Sequence, residues 1–101
     1  MKIRYEELRL AAYATRDWPK GSGIHTDVHY NRSSGRIWTK TEYGDDCYTL
    51  SGDPDEIIVA KTVRKTTPAE LMQAIVQAVA MDDRCREYLK KDAASGQAVW
   101  K

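Results

Sequence analysis

The strongest folding signal in this chain is residues 57–79, whose sequence is IIVAKTVRKTTPAELMQAIVQAV. Residues 57–65 predict a strand, and because its start at 57–60 is apolar on both faces, it suggests a covered, central position in a sheet. Thr67, Pro68 and Glu70 then form a capping box with proline at the first helical position, which predicts the start of a long helix. This strand-to-helix unit is the element around which the rest of the chain has to pack.

The long helix is expected to bury one side, because its apolar residues recur at three- and four-residue steps. The predicted core stripe consists of Leu71, Ile75, Ala78 and Val79, widened by Met72 and Val76. Gly96 is a plausible stop for the helix. Residues 97–101 then form a short tail, which could be flexible.

Residues 4–15 favour an N-terminal helix, since good helix formers dominate and the acids come early. Tyr5, Leu8 and Ala12 share one face of that helix. A strand that begins at Ile3 is the alternative. Residues 18–23 contain a proline and two glycines, which predicts a break before the next element.

Three further strands are predicted at 24–30, 36–43 and 47–51, separated by turn residues. Residues 24–30 alternate, and one face carries Ile24, Thr26, Val28 and Tyr30. The other face carries His25, Asp27 and His29. On 36–43, Ile37 and Trp38 lie on opposite faces, so the register decides whether Trp38 is a core residue or an exposed one.

The chain therefore predicts a single two-layer α+β domain over residues 1–101. In this prediction a four-stranded, mainly antiparallel meander sheet packs against a long C-terminal helix, with a second helix at the N-terminus. A length of 101 residues fits one domain with a modest core.

Composition argues against several classes of function. The formal net charge is +1, so a global field that attracts DNA or membranes is not expected. No apolar run is long enough to cross a bilayer, and two cysteines are too few for a disulfide framework. We therefore expect a cytoplasmic protein with reduced thiols.

The leading hypothesis is a non-enzymatic binding module that acts by contacts with another protein. Small chains of this character are frequent among accessory proteins of phages and mobile elements, including inhibitors of host defence machinery. An exposed aromatic residue between charges is typical of an interface anchor, and segregated charge can guide docking. The predicted partner-binding residues are Trp38, Lys40, Glu42, Asp45 and Asp46, with Arg32 and Arg36 at the other end of the hairpin.

Nucleic-acid binding is the first alternative, through Lys61, Arg64 and Lys65 just before the long helix. The order of elements over about residues 4–80 is similar to that of double-stranded-RNA-binding domains, which run helix, three strands, helix. In that family a lysine cluster is expected to open the last helix. Here the helix opens with Pro68 and Glu70, which argues against phosphate binding at that point.

A small metal- or thiol-dependent enzyme is the second alternative, with His25, His29, Cys47 and Cys85 as the candidate residues. On a strand, His25 and His29 lie about 13 Å apart, which is too far for one zinc ion. Either histidine could instead pair with Asp27 on the same face. No phosphate loop, nucleophile elbow or paired-cysteine motif is present, so neither a cofactor nor a metal is expected.

Overall fold

The computed structural model describes the backbone of residues 1–43 and 52–95, with side chains as far as Asp83. The described elements are α1 (Tyr5–Ala14), β1 (Ile24–Asn31), β2 (Ile37–Tyr43), β3 (Glu56–Thr62) and α2 (Pro68–Ser95). The predicted α+β class is confirmed, with three antiparallel strands and two helices among these residues. The strand predicted at 47–51 and the tail at 97–101 lie outside the described residues.

The sheet has the order β2-β1-β3, so the first strand is the central one. This corrects the predicted meander, in which each strand pairs with the next, because β3 pairs with β1 instead. It also corrects the central position predicted for residues 57–60, which are only half-buried in the edge strand of the described sheet.

The register places side chains in rows that run across the three strands. His29 lies opposite Trp38 on β2 and Ile58 on β3, and Asp27 lies opposite Lys40 and Lys61. One irregularity occurs where Val28 pairs with Ala60 while His29 pairs with Ile58, which leaves one extra residue on β3. Such a bulge locally increases the twist of a strand.

The hydrophobic core lies between one sheet face and both helices. Its buried members are Leu8, Ala11 and Ala12 of α1, Val28 and Tyr30 of β1, Ile37 of β2, and Leu71 and Ile75 of α2. Of the two faces predicted for β1, the one with Val28 and Tyr30 points to the helices, and both side chains are fully buried. Ile37 is also in the core, which fixes the register of β2 and sends Trp38 to the opposite face.

Two apolar positions depart from the predicted helix faces. Tyr5 of α1 is 68% exposed although it was placed on the same face as Leu8, and Val76 of α2 is 45% exposed. Tyr5 is the first residue of α1, and Val76 is one of the two residues expected only to widen the stripe of α2.

The start of α2 has the predicted capping box. The amide of Glu70 donates to Thr67 Oγ1 at 3.2 Å, and the amide of Thr67 donates to Glu70 Oε1 at 3.2 Å. Thr15, at the end of α1, is fully buried and accepts a hydrogen bond from the amide of Thr66 at 2.9 Å. The C-terminus of α1 is therefore tied to the N-terminus of α2.

Candidate functional site

We call the sheet face that points away from both helices the distal face. Side chains alternate along each strand, so the residues opposite the core positions share this face. They are His25, Asp27, His29 and Asn31 of β1, Trp38, Lys40 and Glu42 of β2, and Glu56, Ile58 and Lys61 of β3. Arg36, just before β2, joins them beside Trp38.

Trp38 is held in one position on the distal face by two partners. Its indole stacks on the imidazole of His29, with ring centroids 3.8 Å apart and planes at 13°. Its Nε1–H donates a hydrogen bond of 2.6 Å to Glu56 Oε1. The guanidinium of Arg36 lies 5.9 Å from the ring centroid. Trp38 is therefore a half-buried aromatic residue with fixed partners. It is neither the core residue nor the exposed residue that the two possible registers predict.

His29 is 2% exposed, and its Nδ1 lies 3.9 Å from Glu56 Oε1. Burial lowers the pKa of His29, because the charged imidazolium loses its hydration, and the nearby carboxylates of Glu56 and Asp27 offset only part of this effect. The imidazole is therefore neutral at physiological pH, which suits its stacking contact with Trp38.

Asp27 is a fully buried carboxylate in the middle of the distal face. His25 Nε2 lies 3.3 Å from its Oδ1, and the register sets Lys40 and Lys61 on either side of it. A buried negative charge requires compensation from nearby positive charge or hydrogen-bond donors. His25, Lys40 and Lys61 are basic side chains that the described residues place beside it.

Lys40 and Glu42 form an ion pair along β2, with Nζ and Oε1 2.8 Å apart. The hydrogen bond between them raises the pKa of Lys40 and lowers the pKa of Glu42. Both side chains are therefore charged at neutral pH. Lys40 remains about half exposed, with 52% of its side chain accessible.

The structure brings together four of the predicted partner-binding residues and separates another. Arg36, Trp38, Lys40 and Glu42 follow one another on the distal face. Arg32 is instead enclosed by three carboxylates and is only 12% exposed. Its guanidinium lies 3.5 Å from Asp55, 2.7 Å from Asp82 and 2.6 Å from Asp83. Asp45 and Asp46 lie outside the described residues.

The structure brings together two of the three residues of the nucleic-acid alternative, because Lys61 and Arg64 both border a groove between β3 and α2. Arg64, however, pairs with Glu70 at 2.5 Å. Lys65 donates its backbone amide to Asp17, and its side chain borders a different groove. Glu70 also belongs to the capping box, so a carboxylate already occupies the helix start where a phosphate would have to bind.

The residues of the enzyme alternative are only partly placed. His25 and His29 lie on either side of Asp27 along β1. Cys47 and the side chain of Cys85 lie outside the described part of the chain. Within the part described, no three His, Cys, Asp or Glu side chains are arranged to hold a metal ion.

Sequence reasoning missed two features. Glu56 anchors Trp38 and also accepts a hydrogen bond from Asn31 Nδ2 at 3.0 Å, yet in the sequence it is one of several turn acids. The second is a groove of about 470 Å³ between α1 and the start of α2. It contains Leu10, 60% exposed, and Tyr13, 89% exposed. Leu10 and Tyr13 lie off the face of α1 that carries Leu8 and Ala12, and this was the sequence signal that could have indicated the groove.

Comparison of the chain with models of protein families, with curated proteins and with solved structures finds no match. Within the described residues, neither helix combines the length and the apolar character that a membrane crossing requires.

Proposed function

We propose that this chain is a non-enzymatic binding module that contacts another protein through the distal face. The observation that supports this proposal is the fixed position of Trp38, which is stacked on His29 and hydrogen-bonded to Glu56. A side chain that is already ordered loses little conformational freedom on binding, so it contributes more to affinity. Tryptophan is among the residues most enriched at the energetic centres of interfaces.

The arrangement around Trp38 resembles the general anatomy of an interface. The half-buried Trp38 and Ile58 flank the imidazole of His29 in one row, and the exposed Arg36 and Lys40 lie on either side of Trp38 along β2. A protein interface typically has an apolar centre surrounded by polar groups that remain accessible at its edge.

The groove beside α1 is a competing surface, because Leu10 and Tyr13 are large and exposed. Among the described residues, Tyr13 has neither a hydrogen bond nor a stacked ring to hold its side chain. Ordering it on binding therefore carries a larger entropic cost than using Trp38 does. For this reason we place the interface on the distal face.

Affinity capture from cells that make the chain tests the proposal. The double variant Arg36→Ala/Lys40→Ala removes two exposed charges from the distal face without touching the core. We expect it to lose a protein that the unmodified chain captures. The matched control is Arg9→Ala/Lys20→Ala, which removes the same charges from α1 and an exposed turn and should retain the partner.

Tyr13→Ser on α1 separates the two surfaces. If the partner is lost with Tyr13→Ser and retained by Arg36→Ala/Lys40→Ala, the groove is the interface and our assignment to the distal face is wrong. Direct binding of the purified partner, measured by calorimetry, should repeat the ranking of the variants.

A further inference from the structure

The three acids of the distal face are less exposed than its three long basic side chains. Asp27 is fully buried, Glu56 is 8% exposed, and the side chain of Glu42 is 18% exposed. Arg36 and Lys61 are exposed, and Lys40 is 52% accessible. A molecule that approaches the part of this face between Arg36, Lys40 and Lys61 therefore meets positive groups first.

We propose, on the basis of the proposed protein-binding function, that the distal face recognises an acidic protein segment. The segment carries carboxylates on both sides of an apolar residue. The apolar residue packs beside Trp38 and Ile58. The carboxylates pair with Arg36 on one side and with Lys40 and Lys61 on the other.

The spacing of the bases fits such a segment. Arg36 and Lys40 are four residues apart along a strand, which corresponds to about 13 Å. Lys40 and Lys61 both flank Asp27, so their backbones are two strand spacings apart, or roughly 10 Å. A short extended segment covers both distances, and the row of Trp38, His29 and Ile58 lies between Arg36 and the two lysines.

Lys40 can take part although it already pairs with Glu42. An ammonium group has three donors, so Lys40 and Lys61 can each donate to a carboxylate of the segment in addition to their contacts within the chain. The guanidinium of Arg36 has five donors and favours two-point contact with a carboxylate.

The same charges favour a protein over a nucleic acid. Three acids of the same face, Asp27, Glu42 and Glu56, balance the three bases in number, so the face has little net field at a distance. Binding to a phosphate backbone depends on net positive charge and on release of counterions. One side of the Trp38 ring is also occupied by His29, which limits stacking by a base. Close contact with individual carboxylates does not need a net field.

A selection from displayed random peptides against the immobilised full chain tests this inference. We expect enrichment of sequences with acidic residues on both sides of an aromatic or aliphatic residue. Binding of an enriched synthetic peptide should weaken at least tenfold in Arg36→Gln/Lys61→Gln. The control Arg9→Gln/Lys20→Gln changes the net charge equally and should bind as the unmodified chain does.

The other outcomes overturn the inference in distinguishable ways. Enriched peptides that are neutral or basic, but that Arg36→Gln/Lys61→Gln still weakens, would refute the acidic partner and leave the binding function in place. Peptides that are insensitive to this variant, or no enrichment at all, would refute both. Labelled single-stranded DNA or RNA that binds at low salt, and is released by the same variant, would replace the protein partner with a nucleic acid.

Discussion

The phenol hydroxyl of Tyr30 donates a hydrogen bond to the backbone carbonyl of Lys2, which joins the central strand to the N-terminal segment. Tyr30 is fully buried, and burial raises its pKa, so the hydroxyl keeps its proton and remains a donor. The turn after β1 passes over the same segment, since Gly35 lies directly against Lys2.

Gly35→Ala should destabilise the fold more than Gly21→Ala. Both glycines have positive φ angles, +75° and +82°, so both substitutions bear the left-handed penalty of about 1 kcal/mol. A methyl group at Gly35 would also lie 3.0 Å from Lys2 Cβ and 3.2 Å from its carbonyl carbon, whereas Gly21 has nothing within 4 Å. Urea unfolding of the two variants measures the difference, and equal losses would contradict the close contact.

Removal of Arg32 should weaken the contact between α2 and the turns that precede β2 and β3. We expect Arg32→Ala to lower the free energy of unfolding by about 1–3 kcal/mol, because a guanidinium that is 12% exposed loses charged partners. Arg9→Ala is the control. Its pair with Glu6 is about three-quarters exposed on both sides, so the loss should stay below about 0.5 kcal/mol. Denaturation curves that rank the two variants the other way would refute this role for Arg32.

Trp38→Phe should lower stability even in the absence of a partner. The substitution keeps an aromatic ring against His29 but removes the donor to the largely buried Glu56, at a cost of about 1–3 kcal/mol. A double-mutant cycle with Glu56→Gln should give a coupling energy above about 0.5 kcal/mol. Additive losses would mean that the two side chains do not interact. Since Trp38 also supports the fold, Arg36 and Lys40 are better positions for tests of binding.

Stability should fall as the pH drops below about 6.5, and His29 should account for part of the loss. Its pKa is lowered in the folded chain, so the unfolded chain binds the proton first and mild acid favours unfolding. The slope from this one group cannot exceed about 1.4 kcal/mol per pH unit. His29→Gln should unfold with a smaller difference between pH 7.5 and pH 5.5 than the unmodified chain. His25→Gln is the control for the other histidine, and an equal pH dependence in His29→Gln and the unmodified chain would contradict the prediction.

The features that the sequence predicted correctly are local ones. The capping box of Thr67 and Glu70 depends on residues three apart, and the inward positions Val28 and Tyr30 follow from simple alternation. The order of the strands depends on contacts between distant residues, so the apolar run 57–60 suggested a central position that β1 in fact holds.

The candidate site was predictable only in part, for a related reason. The alternation of β1 placed Asp27 and His29 on one face but did not indicate that both are buried. The indole of Trp38, on the neighbouring strand, stacks on the imidazole of His29. The grouping of Arg36, Trp38, Lys40 and Glu42 followed from their spacing on one strand. The role of Glu56, which lies on a different strand, did not.

The central placement of β1 affects how the chain acquires its structure. A hairpin of β1 and β2 can form early, because only a short turn separates these strands, but the other edge of β1 stays uncovered until Thr62 has been synthesised. During that interval the backbone groups and apolar side chains of Val28 and Tyr30 are open to pairing with other chains. Fragments that end before β3 should therefore be prone to aggregation, even though they contain an intact hairpin.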